Sequence, residues 1–108
     1  MHSATLQSRK KLAHMFDALG HHRRIAIVQA LQAAGKSGIA FGDLAQRTGM
    51  PESALKHHVR MIKRGGFLRT RTKGNFTVLR LDLEQLNLAL ASFGHTHISD
   101  ATQDLVAV

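Results

Sequence analysis

SALKHHVRMIKRGGFLRTRTKGNFTVLRL, residues 53–81, carries eight cations and no acid: Lys56, Arg60, Lys63, Arg64, Arg69, Arg71, Lys73 and Arg80. The chain has 15 Lys and Arg against 7 Asp and Glu in its 108 residues, so outside this stretch the seven remaining cations balance the acids and the whole formal charge of +8 resides here. A field so localised points to a polyanionic partner. Laid out at about 100° per residue, Leu55, Val59 and Ile62 gather on one side of a helix, while Ser53, Lys56, His57, Arg60 and Arg64 fan across the other. The result is a helix with an apolar back and a basic front.

Its neighbours in sequence supply the frame. Pro51 suits the first helical turn, where a missing N–H is harmless, and Glu52 complements the helix dipole. Gly65-Gly66 stops the helix. The runs FLRTRT and FTVLRL then flank Lys73-Gly74-Asn75, whose Gly and Asn tolerate positive φ, which predicts a β-hairpin with a basic tip. Upstream, Phe41, Leu44, Ala45 and Thr48 mark a short helix, Ala45 allows a close helix crossing, and Gly49-Met50 forms a tight corner. Residues 41–64 are therefore expected to be a helix-turn-helix whose second helix enters a DNA major groove, with residues 67–81 as a wing beside it.

From Leu19 to Leu81 this pattern resembles the winged-helix ArsR/SmtB repressors. The matching segments are LGHHRRIAIVQAL (19–31), with Arg24 and the Ile27-Val28 pair, DLAQRTGM (43–50) as the first helix of the motif, SALKHHVRMIKRGGFL (53–68) with its His-His pair as the recognition helix, and the hairpin as the wing. Three departures stand out. His22 replaces a usual Pro, Lys56 replaces a common Ser, and the Cys-containing metal motif of the family is missing around residues 41–44.

The expected fold is a single mainly α domain over residues 1–108, with a small β wing and a helical dimer interface. Residues 1–4 are expected to form a loose arm, and residues 5–19 a helix with the stripe Leu12, Met15, Phe16 and Leu19. The cluster Arg9, Lys10 and Lys11 reads as a solvated face. A second helix runs from Arg23 to Ala34, facing Ile27, Val28 and Leu31 inward. Gly35-Lys36-Ser37-Gly38 echoes a phosphate loop, but Ala30 stands where the first Gly is required and a helix precedes it where a strand should. A turn is the better account, with Ile39-Ala40 adding a short strand to the wing sheet. Asp82 is expected to cap a last helix, the second dimerisation helix of the segment 82–93, with the stripe Leu83, Leu86, Leu90 and Phe93. That is more apolar surface than a small domain buries alone, so Leu12, Met15, Phe16, Leu86, Leu90 and Phe93 are assigned to a dimer face, which is also how the resembling family dimerises. The tail, 94–108, carries only a weak helix signal between Ser99 and Val106.

Cysteine is absent, which excludes disulfides, thiolate metal sites and thiol sensing, and fits a reducing cytoplasm. No apolar run reaches 18 residues and MHSATLQSRKK lacks the core of a signal peptide, so no membrane partner is expected. Adjacent His21 and His22 point about 100° apart on a helix and chelate poorly, so turn or capping roles fit them, and His58 fits a partly buried, satisfied histidine. Asp82, Glu84, His95 and His97 offer zinc-type or nickel-type ligands, and some members of the resembling family use Asp and His on the last helix. Here Asp82 falls a residue early, Gln85 stands at a usual His position, and both histidines follow Gly94, so no metal or cofactor is assigned. No catalytic constellation has motif spacing, which argues against an enzyme. The expected partners are duplex DNA and a second copy of the chain. Lys56, Arg60 and Arg64 are expected on phosphates or guanines, Ser53 and His57 on base edges or backbone, and Arg69, Arg71 and Lys73 near the minor groove. An RNA-binding or protein-interaction module is the competing class, and the effector stays open.

Overall fold

The computed structural model describes residues 2–94, with side chains from Thr5 onward. In chain order it has α1 (His2–Leu19), α2 (His22–Ala34), a 3-10 turn (Gly35–Ser37), β1 (Ile39–Ala40), α3 (Phe41–Thr48), α4 (Glu52–Arg64), β2 (Leu68–Lys73), β3 (Phe76–Leu81) and α5 (Leu83–Phe93). The strands form one antiparallel sheet in the order β1-β3-β2. Residues 95–108, including the weak helix signal of the tail, lie outside the described part.

Residues 2–4 belong to α1, where a loose arm was expected. Periodicity marks a helix only where apolar residues need a face, and Ser3, Ala4 and Thr5 carry no Gly or Pro to interrupt one that begins earlier. α2 opens one residue before the expected Arg23 because His21 caps it: its Nδ1 accepts from the Arg23 N–H at 3.1 Å. Pro51 stands at the cap position of α4, just ahead of the first turn, and its carbonyl accepts the first helical bond from the Leu55 N–H at 3.0 Å. Asp82 caps α5 as expected, its Oδ1 accepting from the Gln85 N–H at 3.1 Å.

Two glycines are required by close approaches. A Cβ on Gly38, whose φ is +77°, would meet the Leu79 carbonyl oxygen at 2.6 Å, so Gly lets β1 lie beside β3. A Cβ on Gly65 would meet the Phe67 ring at 2.7 Å and Ala18 at 2.9 Å, so this residue sets how tightly the end of α4 packs on α1.

Phe67, Ile27, Leu31, Leu44, Leu55, Ile62 and Leu79 are the largest fully buried side chains, and they join α2, α3, α4 and the sheet in one core. Each contributes about 1.5–3 kcal/mol relative to exposure. Ile39 pairs with Leu79 and Ala40 with Val78, which ties the start of the helix-turn-helix to the wing.

Candidate nucleic-acid interface

α4 turns Leu55, His58 and Ile62 into the core and leaves Ser53, Lys56, His57, Arg60, Lys63 and Arg64 exposed. Its mount is the left-handed corner at Gly49, φ +67°, where the Met50 N–H bonds to the Ala45 carbonyl at 3.1 Å. This bond closes the turn between α3 and α4, and buried Ala45 lets the two helices meet closely. Arg64 shares the exposed face of the helix but, being in its last turn, also borders a cleft of about 500 Å³ between α1 and α5, together with Lys11.

The wing register pairs Leu68 with Leu81, Arg69 with Arg80, Arg71 with Val78 and Lys73 with Phe76. Because alternate residues face opposite ways, Leu68, Leu79 and Leu81 enter the core while Arg69, Arg71, Lys73 and Arg80 share the outer face. Only Gly74 at the tip has positive φ, +63°; Asn75 does not, so the turn has its glycine at the first central position.

The expected wing cations are not equivalent. Arg69 Nη2 donates to Asp82 Oδ2 at 2.9 Å, and its Nη1 donates to the Gly66 carbonyl at 3.1 Å. It holds the base of the wing to the cap of α5. Arg71 and Lys73 lie further out, exposed.

Sequence reasoning missed a polar cluster behind the recognition helix. Arg24 retains 9% exposure and His58 7%, and Arg24 Nη1 stands 3.5 Å from His58 Nδ1. A guanidinium has no acceptor, so a hydrogen bond across this gap requires a lone pair on that ring nitrogen, which the neutral Nε2–H form of His58 supplies. His21 packs on His58 with ring centroids 5.0 Å apart and stacks on His22 at 4.7 Å; His57 meets His58 at 5.4 Å. Burial, followed by the charges of His21, Arg24, His57 and Arg23, pushes the His58 pKa below the ordinary histidine value. Desolvation and the charges of His22, Arg24 and Arg23 lower that of His21. Arg24 Nε is buried without a partner. The sequence had marked His58 as a partly buried histidine and His21 as a capping candidate, and both readings hold, but it says nothing of which helices touch and so did not bring Arg24 to His58.

The residues assigned to a dimer face divide. Met15 at 2% and Leu86 at 6% exposure are already covered within the protomer, and Leu12 and Phe93 are partly buried. Phe16 and Leu90 remain exposed, as do Leu6, Leu83 and Leu88, and Phe16 meets Phe93 edge to face at 5.3 Å. Of the residues weighed for metal, Asp82 is engaged by Gln85 and Arg69, Glu84 is exposed, and His95 and His97 lie outside the described residues. Among the described residues no helix is long and apolar enough to cross a membrane.

Comparison with known proteins matches this architecture. A solved ArsR family transcriptional regulator aligns with 92% of this chain and 93% of its own at 20% identity and a TM-score of 0.69. A homodimeric winged helix-turn-helix DNA-binding domain from Mycobacterium bovis, a possible ArsR-family transcriptional regulator, aligns over 92% of this chain and 83% of that one at 24% identity and a TM-score of 0.65. The transcriptional repressor BigR from Xylella fastidiosa aligns over 86% and 93% at 20% identity and a TM-score of 0.62. No curated protein matches the chain. Residues 12–80 match the family described as Domain of unknown function (DUF7347), and the chain belongs to that family, built on the winged helix-turn-helix fold of the ArsR-family regulators.

Proposed function

We propose that this chain is a sequence-specific DNA-binding transcriptional regulator, a homodimeric repressor that reads an inverted repeat through two copies of α4. The observation that carries the reading is the exposed face of α4: Ser53, Lys56, His57, Arg60 and Arg64 project together from a helix whose back is sealed into the core. Lys56, Arg60 and Arg64 contact phosphates or guanine edges, Ser53 and His57 supply hydrogen bonds, and Arg71 and Lys73 follow the backbone beside the minor groove. Arg69 serves first as the brace to Asp82. Exposed Phe16 on α1 and Leu90 on α5 supply the surface for a second copy. The solved relatives are transcriptional regulators, one a homodimer and one a repressor, and these roles are carried over as part of the proposal.

The test is affinity for an operator drawn from the gene's own upstream region, and for a scrambled duplex, across a salt series. Arg71→Ala and Lys73→Ala are expected to weaken both duplexes alike and to make the logarithmic salt slope shallower by about 0.9 per lost phosphate contact. Lys56→Ala or His57→Ala is expected mainly to erode the preference for operator, by about 1–3 kcal/mol if a bidentate base contact is lost. A wild-type chain with no preference for any upstream duplex, or with tighter binding to single-stranded RNA at matched salt, would replace the repressor with an RNA-binding or interaction module.

A further inference from the structure

The wing ends in the most exposed of the large apolar side chains among the described residues. Phe76 leaves 67% of its surface in water, whereas Phe67, just before the hairpin, leaves 1%. The strand register says where the ring stands. Lys73 and Phe76 are the last cross-strand pair before the turn Gly74-Asn75, and Arg71 and Val78 pair two residues further in. Pairs two residues apart share a face of the sheet. Lys73, Phe76, Arg71 and Val78 are therefore neighbours on the outer face, opposite buried Leu79. Ala40 pairs with Val78 from β1 and, with Lys73, Gly74 and Phe76, borders a shallow depression there.

A single exposed apolar residue is ordinary on a protein surface. Here three further properties coincide with it. The ring lies at the distal end of a projecting hairpin, it is flanked by cations on its own face, and only Gly74 and Asn75 lie beyond it. A polyanion with apolar faces between its charges fits this combination, and duplex DNA has phosphates flanking a groove walled by deoxyribose. The minor groove of B-DNA is about 6 Å wide, which favours a tip made of Gly and Asn over a bulky one.

We propose that Phe76 is a minor-groove wedge. On bound DNA, Arg71 and Lys73 lie along the phosphates while the Phe76 ring presses on sugar and base edges and partly opens one base step. Pyrimidine–purine steps unstack most readily, and apolar wedges exploit this at other minor-groove interfaces. The wing then selects deformable steps at the flanks of the site without a hydrogen bond to any base. This inference rests on the DNA-binding reading above and adds a specificity residue to it.

The chain has no Trp and no Tyr, so Phe76→Trp places a single reporter at the tip. Added duplex is expected to quench its fluorescence and shield it from acrylamide. A 2-aminopurine placed at a flanking TA step is expected to brighten when the wild-type chain binds. Phe76→Ala, confirmed folded by circular dichroism, should weaken operator binding on the order of tenfold. Its salt slope should equal that of wild type, because a ring releases no counterion, whereas Lys73→Ala flattens the slope. Phe76→Leu should recover part of the affinity. If wild type binds duplex with the expected salt dependence and Phe76→Ala binds equally well, the wedge fails and the DNA-binding reading stands. A change in the sedimentation of the free chain, with DNA affinity intact, would assign the ring to a protein contact and likewise overturn the wedge. If wild type does not bind duplex at all, both readings fall.

Discussion

His58 shows how one side chain can tie the recognition helix to its support. The rings of His21, at the cap of α2, and His57, on α4, lie against it, Arg24 Nη1 stands 3.5 Å away, and the charge of Arg23 acts on it as well. Protonation would bring a second positive charge against the Arg24 guanidinium and remove the lone pair facing it at 3.5 Å. A histidine whose folded pKa lies below its unfolded value of 6.5 stabilises the fold fully above that value, and the contribution disappears as pH falls through the folded pKa. His21 is shifted in the same direction. Urea midpoints are therefore expected to decline from pH 7 towards pH 5, and less steeply in His58→Gln, whose amide oxygen can still accept from Arg24. Identical slopes in the two proteins would show that His58 does not carry the linkage.

At the scale of elements, the junction of wing and α5 concentrates several duties on Asp82. It caps α5 through Gln85, it anchors Arg69, and its own N–H bonds to the Phe67 carbonyl at 2.8 Å. Losing the cap is worth about 0.5–2 kcal/mol. The ion pair, 42% and 31% exposed at its two side chains, adds at most about 1 kcal/mol once screened by solvent. Asp82→Ala should accordingly lower stability by about 1–2 kcal/mol in denaturant titrations. The same variant frees Arg69, which makes a second reading possible in the DNA assay. Arg69→Ala in an otherwise unchanged chain should flatten the salt slope less than Arg71→Ala does; an equal change would mean that Arg69 leaves Asp82 to bind phosphate.

Over the whole molecule, the apolar residues of α1 and α5 fall into two classes that call for different experiments. Leu86 and Met15 hold the protomer together, whereas Leu90 and Phe16 face outward. Leu90→Glu is expected to give a folded monomer in sedimentation at micromolar concentration, with weakened binding to a duplex carrying two half-sites. Leu86→Glu is expected to unfold the chain, because it buries a carboxylate without a partner. A wild-type chain that sediments as a compact monomer would remove the dimer from the proposal.

What was legible from sequence was everything that repeats at a local period or breaks one. The 3.6-residue spacing of Leu55, Val59 and Ile62 set the back of α4, the runs FLRTRT and FTVLRL on either side of Lys73-Gly74-Asn75 set the wing, and Gly49, Gly65-Gly66 and Gly74 punctuated them. The short strand Ile39-Ala40 and the Asp82 cap were legible for the same reason, since turn and capping chemistry act within a few residues. Only the tertiary structure decided matters that depend on which distant segments touch. It placed Arg24, 34 residues away in sequence, against His58; it gave Arg69 to Asp82; it divided one apolar stripe into buried Met15 and exposed Phe16; and it left the Phe76 ring at the wing tip in solvent. Periodicity records which side of an element is apolar, but the packing of one element on another decides which of those residues are covered and which remain free to meet a partner.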